Sequence, residues 1–281
     1  MTGVTLRRMQ TEDIAFGMRL KEIAGWNQTA EDWGRFLAFE PEGCFVALWE
    51  GEPAGTVTTV RYGSRFGWVG MVLVLPECRR RGIGTTLLNA GIEYLSVAGV
   101  ETVKLDATPE GKYVYDRLAF REEYRLDRWQ GVCREVSWDG VRQAEPEDLD
   151  RIMAIDESAF GADRRRVLLE MMRGRAGGVL VTEAGPSTGY AVTRPGSRAW
   201  QVGPVVADDP EAGVNLLRAA FGGLEGRESY VDMIRSNIDA VCVAERQGFV
   251  VQREFIRMYR GPNGYPGSPD RQFAVSGPEK G

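Results

Sequence analysis

The sequence predicts an α/β (α+β) fold in two tandem domains, on three observations. A chain of 281 residues has the length of about two ordinary domains, each able to bury its own core. Short strand-like runs alternate with stretches of helical periodicity throughout. The order of elements in the first half then returns in the second. One offset of 129 residues lays Tyr115-Asp-Arg-Leu-Ala-Phe120 on Ala244-Glu-Arg-Gln-Gly-Phe249, and Arg128 on Arg257. A repeat of that length marks domain duplication, not a solenoid.

The first half opens with a strand over 5–9 and a helix that begins at Thr11-Glu12-Asp13 and runs to about residue 24. Thr29 and Asp32 fit a capping box for a second helix, whose Trp33, Phe36 and Leu37 share one face. Residues 44–50 and 54–62 form a hairpin across Gly51-Glu52-Pro53. Residues 68–75 are almost continuously apolar, as a central strand covered on both faces is, and Pro76 ends the run. Residues 83–97 have helical periodicity, 102–107 read as a strand and 112–118 as a short helix. The second half gives a strand at 140–143, helices at 146–159 and 164–172, and strands near 179–183 and 190–193. A central strand at 202–207, a helix at 214–221 and a strand at 230–234 follow. The boundary falls near Ser137 to Gly140, which gives domains 1–138 and 139–261. Residues 262–281, rich in Gly and Pro, are expected to be a partly disordered tail.

Composition removes whole classes of chemistry. The chain has no histidine, which excludes Ser-His-Asp and Cys-His machinery, His-ligated zinc and a histidine general base. Its four cysteines stand 34, 55 and 109 residues apart, so there is no CxxC pair, and they are expected as reduced thiols with no metal. A net charge of −5 argues against general nucleic-acid binding. The longest apolar stretch, 66–76, is far short of a bilayer span, and the first residues lack the apolar core of a signal peptide. These features predict a cytoplasmic protein with no membrane partner.

After the buried strand comes Arg79-Arg80-Arg81-Gly82-Ile83-Gly84-Thr85-Thr86, and then a helix. Two glycines let the backbone approach a ligand, amides converge at a helix N-terminus, and the helix dipole favours an anion there. Three arginines add charge and bidentate donors. The loop differs from a dinucleotide fingerprint, which would need glycine at Leu87. It also differs from a P-loop, because the only Gly-Lys pair is followed by Tyr113.

Val72-Leu73-Val74-Leu75-Pro76 followed by Arg79-x-x-Gly82-x-Gly84 resembles motif A of the GCN5-related N-acetyltransferases, the GNAT superfamily. Val114-Tyr115-Asp-Arg-Leu-Ala-Phe120 resembles that superfamily's motif B. The resemblance implies that each half holds a mixed, mostly antiparallel central sheet flanked by helices. It implies acetyl-CoA as co-substrate between the strands at 68–75 and 102–107. The pantetheine would pair with the backbone of Val72, Leu73 and Val74, and the pyrophosphate would sit on the amides of Arg79, Arg80, Arg81, Gly82, Ile83, Gly84 and Thr85. The acceptor would be an amine of a small molecule or an exposed amino group. A backbone N–H at a strand bulge near Val72 would meet the oxyanion, and Tyr115 would protonate the departing thiolate.

The family's usual Asn is Thr108 here, which keeps a hydrogen-bonding cofactor contact, and its usual Gly before Phe is Ala119. Trp26, Trp33 and Asp106 are the candidates for acceptor binding, with Asp232, Arg194 and Arg61 as weaker ones. Asp106 and Glu110 are the carboxylates nearest the site in sequence and leave the general base unassigned. In the second half the 129-residue offset puts Asp208-Asp-Pro-Glu-Ala-Gly213 on the arginine loop and Ala244 on Tyr115. That half resembles a degenerate acetyltransferase domain of a tandem GNAT protein, unable to bind acetyl-CoA. The chain would act as a monomer or homodimer. The reading from another class is a non-catalytic acetyl-CoA sensor or interaction module.

Overall fold

The computed structural model describes residues 3–173, 177–183 and 188–281. The first half contains β1 (Val4–Arg8), α1 (Ile14–Ala24), α2 (Ala30–Phe39), β2 (Phe45–Trp49), β3 (Glu52–Tyr62) and β4 (Phe66–Val74). It continues with α3 (Ile83–Val97), β5 (Val103–Ala107), α4 (Pro109–Asp116) and β6 (Arg121–Val132). The second half contains β7 (Val141–Gln143), α5 (Leu149–Phe160), α6 (Arg165–Met172), β8 (Gly178–Thr182), β9 (Gly189–Arg194) and β10 (Trp200–Ala207). Then come α7 (Pro210–Gly222), β11 (Glu228–Ile234), α8 (Ile238–Arg246), β12 (Val250–Arg260) and β13 (Gln272–Ala274).

Local chemistry accounts for the elements that position the site. At α2 the Thr29 hydroxyl accepts from the Asp32 N–H, and the Asp32 carboxylate accepts from the Thr29 N–H at 2.9 Å, so both orphan donors are met. The turn into α1 is fixed by Arg7 paired to Asp13, and the turn into α5 by Arg142 paired to Asp148, one device used in both halves. β4 is buried along most of its length, between α3 on one face and the cluster containing Trp33, Phe36 and Phe160 on the other.

The thirteen strands of the described residues form one sheet, in the order β1-β2-β3-β4-β5-β12-β6-β11-β10-β9-β8-β7, with β13 on β10. It is antiparallel except where β4 meets β5 and β10 meets β11. The sequence reading gave neither β6 nor β12, and these two strands join the halves. β12 pairs with β5 of the first half, β6 pairs with β11 of the second, and β6 and β12 pair with each other. Each half thus gives its last long strand to the other half's sheet. The seam carries crossed ion pairs: Asp106 of β5 takes Arg257 of β12, and Asp232 of β11 takes Arg128 of β6, each bidentate at 2.8 Å and buried.

The expectation of a partly disordered tail is overturned. Residues 276–281 lie almost wholly buried between the halves. Tyr62 Oη donates to the Lys280 carbonyl, Trp68 Nε1 to the Pro278 carbonyl at 3.0 Å, and Arg164 to Ser276 Oγ and the Gly281 carbonyl. Gly and Pro prevent regular structure here, and side chains of both halves satisfy the carbonyls of Pro278, Lys280 and Gly281. No helix among the described residues is long and apolar enough to cross a membrane.

Candidate active site

β4 and β5 run parallel at only two paired positions, Gly67 with Val103 and Trp68 with Lys104, and then diverge. Opposite β3, two residues of β4 (Met71 and Val72) face the single Val57, a bulge that puts Met71 at φ 51°. Thr56 Oγ1 donates to the Met71 carbonyl at 2.9 Å and holds the bulge in place. Beyond the bulge, a cleft of about 430 Å³ lies against the end of β4, between the start of α3 and α4. Its walls are Val72, Leu73 and Val74 of β4, the loop from Arg79 to Thr85, and Tyr115 of α4.

The loop is shaped for backbone contact with a ligand. Arg80 and Gly82 both take the left-handed conformation, with φ 60° and 83°. Arg79 Nε reaches back to the Val74 carbonyl at 3.2 Å. Gly82 is the N-cap of α3 and has no side chain to meet the helix's first amides. Those donors border the cleft with the positive end of a fifteen-residue helix behind them. Arg79 and Arg80 line the cleft, whereas the Arg81 side chain turns away, its guanidinium stacked over Trp49, 5.0 Å from the ring centroid.

A second pocket of about 180 Å³ lies on the far side of the bulge and shares Val72, Gly111 and Tyr115 with the cleft. Tyr115 therefore stands at the junction of the two cavities. Its ring rests edge-on against Phe120, and among the described residues no protein group hydrogen-bonds its hydroxyl. Burial alone pushes that hydroxyl up to about 12, so it is protonated at any physiological pH. Thr108 borders the second pocket rather than the cleft, and its hydroxyl caps α4 by accepting from the Gly111 N–H at 3.3 Å.

The acceptor candidates separate. Trp26 is a wall of the second pocket. Trp33 is corrected: it is fully buried under α1, where Gly17 leaves room for its ring. Asp106 borders the pocket, but its carboxylate is fully buried and saturated by Arg257, so it is neither an acceptor contact nor a free base. The weaker candidates are engaged elsewhere. Asp232 holds Arg128 and Gln201, Arg194 donates to the Gly203 and Ser276 carbonyls, and Arg61 pairs with Glu40. Glu110 is exposed in the first turn of α4. Among the pocket walls missed from sequence, three come from far along the chain: Phe255 of β12, and Pro278 and Glu279 of the last segment. The strand exchange brings Phe255 here and the buried last segment brings Pro278 and Glu279, and no local pattern signals either.

The corresponding place in the second half is filled by the chain itself. β10 has its own bulge at Gly203-Pro204 opposite Val192, and the proline there has no N–H to offer. β13 pairs with Val205 and Val206 just beyond the bulge, in the lane that stays open beside β4. Phe273 covers the start of α7, where a Cβ on Gly213 would lie 2.2 Å from its ring. The Asp209 carboxylate already accepts from the Glu211 and Ala212 amides. Among the described residues no group of three or more Cys, Asp or Glu side chains is placed to hold a metal ion.

Comparison with known proteins agrees with this geometry. The family described as "Acetyltransferase (GNAT) family" matches residues 13–120, and the "Acetyltransferase (GNAT) domain" matches residues 152–274. A holothin acyltransferase of a Pseudoalteromonas species is 23% identical over 240 residues, which cover 84% of this chain and 81% of that protein. The crystal structure of a putative acetyltransferase from Pyrococcus horikoshii superimposes with a TM-score of 0.86 at 26% identity, covering 100% of this chain and 97% of that one. A tandem GNAT protein from the clavulanic acid biosynthesis pathway shares the fold with a TM-score of 0.66 at 15% identity, covering 92% and 99%. Two halves of one family, fused through exchanged strands, place the chain among the GNAT acetyltransferases, enzymes that take acetyl-CoA as co-substrate.

Proposed function

We propose that the first half transfers an acetyl group from acetyl-CoA to a primary amine by direct attack, with Tyr115 as the general acid. The observation that carries this is the junction: two cavities on opposite sides of the β4 bulge meet at Val72 and at the unpartnered Tyr115 hydroxyl. In this reading the pantetheine lies in the cleft along Val72 to Val74, and the pyrophosphate rests on the amides that follow Arg79. The amine enters from the second pocket. Attack on the thioester carbon forms the C–N bond, and the developing oxyanion meets backbone N–H at the bulge. Collapse breaks the C–S bond, the thiolate takes the Tyr115 proton, and the nitrogen loses its own proton to water.

Titration of the full chain with acetyl-CoA tests the reading. One site per chain is expected, because β13 fills the second lane. Gly84→Val is expected to weaken binding by at least about 100-fold with little effect on stability. A Cβ at this helical position meets only Val74 at 3.7 Å, whereas the larger side chain projects into the cleft. Two sites per chain, or unchanged affinity in the variant, would refute the placement of the cofactor.

The pH profile has a defined sign. An alkylammonium with a pKa near 10.4 is only about 0.04% neutral at pH 7, so kcat/KM is expected to rise about tenfold per pH unit through neutrality. An acid must stay protonated to work, and an ordinary phenol would impose a descending limb near pH 10. With Tyr115 raised to about 12, that limb moves up, and none is expected below about pH 11. A fall in activity that begins near pH 9 would remove Tyr115 from the role.

A further inference from the structure

Three arginines of the exchanged strands stand near the second pocket, and two are fully paired: Arg257 with Asp106 and Arg128 with Asp232. The third, Arg253 of β12, forms no ion pair among the described residues. One of its nitrogens donates to the Ala24 carbonyl at the end of α1, at 3.3 Å. That contact engages one of five guanidinium N–H groups and lends some support to the helix terminus. The guanidinium is half-buried, and burial, together with the like charge of Arg128, lowers its pKa. Asp232 and the exposed Glu110 act on it only at longer range.

Its position is set by the pocket walls. A Cβ on Gly25 would lie 4.0 Å from Arg253 Nη2, and the next residue, Trp26, walls the second pocket. Phe255, two residues along β12 and so on the same face of the sheet, is another wall. Arg253 is not itself a wall of the pocket, but stands beside two residues that are, between the α1–α2 loop and β12. A half-buried guanidinium without a carboxylate forgoes the charge-assisted hydrogen bonds that the other two arginines make, and a bidentate anion would restore them.

We infer that the acceptor is an amine that also carries a carboxylate, as an amino acid does. The carboxylate docks on Arg253 while the amine points through the second pocket toward Tyr115. This rests on the acetyl-transfer reading above and adds the acceptor's chemical class to it.

Matched acceptors test it: L-leucine against 3-methylbutylamine, and 4-aminobutyrate against propylamine. CoA release is measured at saturating acetyl-CoA for the wild type and for Arg253→Met. The carboxylate-bearing member of each pair is expected to be favoured by about 10- to 100-fold in kcat/KM, mainly through KM. Arg253→Met is expected to abolish the preference and leave the plain amines unchanged. Equal or reversed preference in the wild type overturns the inference, as does an equal loss for both members in the variant. If none of the four releases CoA, their binding to the CoA-saturated protein is read by calorimetry. Carboxylate-dependent binding that Arg253→Met abolishes supports the inference, and its absence overturns it. Titration with acetyl-CoA separates the two levels. A wild type that fails to bind it defeats the catalytic reading itself, whereas equal binding by wild type and variant confines any failure to the acceptor.

Discussion

Tyr115→Phe is expected to lower kcat by about 100- to 1000-fold and to leave the dissociation constant for acetyl-CoA unchanged. The split follows from where the hydroxyl stands. The ring makes the packing contacts, edge-on to Phe120 and close to Gly111, and phenylalanine keeps both. Among the described residues the hydroxyl has no protein partner to lose, so the melting temperature is expected to move by no more than about 1 °C. What disappears is a proton donor at the place where both cavities meet. Turnover is followed by CoA release and cofactor affinity by calorimetry. Full activity in the variant would assign thiolate protonation to water and leave Tyr115 as a wall. A parallel loss of acetyl-CoA binding would make the residue a cofactor contact instead.

The largest stability effect is expected at the seam. Arg257→Met leaves the Asp106 carboxylate fully buried with no counter-charge, a loss of about 3–5 kcal/mol. For a chain of this size that corresponds to a fall of roughly 10 °C in melting temperature. Arg257 also packs its guanidinium against Trp68 and donates to the Tyr124 hydroxyl at 2.6 Å, so part of the loss is local packing. Pairing the change with Asp106→Leu separates the contributions. Most of the stability is expected to return in the double variant, because it is the orphaned charge, not the missing attraction, that dominates. Equal melting points for the single and double variants would place the effect in the lost ring and hydroxyl contacts.

The parts of the fold legible from sequence were those specified locally. The helix expected over 83–97 is α3, the box at Thr29 and Asp32 caps α2, and the central strand expected over 68–75 falls on β4, which starts two residues earlier. β6 and β12 escaped because their inward positions hold Asp127, Arg128 and Arg257, which are buried as partners of residues from the other half. A hydrophobic pattern cannot announce a strand that buries salt bridges. Asp106 was misread for the same reason: its partner lies 151 residues away, and a carboxylate at a strand end looks solvated until that partner is placed. In the last segment, Gly and Pro led to the expectation of disorder, because composition carries no information about burial. That is decided by Tyr62, Trp68 and Arg164, up to 218 positions earlier. Of the site, the loop, the strand and Tyr115 were legible because they are contiguous motifs. The second pocket was legible only in part, at Trp26 and Asp106, since β12 brings Phe255 and the last segment brings Pro278 and Glu279 from the far end of the chain.

The exchange of β6 and β12 makes this chain equivalent to a dimer whose subunits have swapped their final strands and then been tied together. Two separate copies would find each other only above some threshold concentration, and the shared sheet would fail on dilution. A covalent link holds the partner at a fixed, high effective concentration whatever the expression level. In the reading proposed above, selection on the second half is thereby reduced to architecture. It must supply β11, β12 and the closing segment, and nothing in that reading compels it to keep an anion loop. Three acidic residues and a proline between Asp208 and Glu211 are compatible with that role.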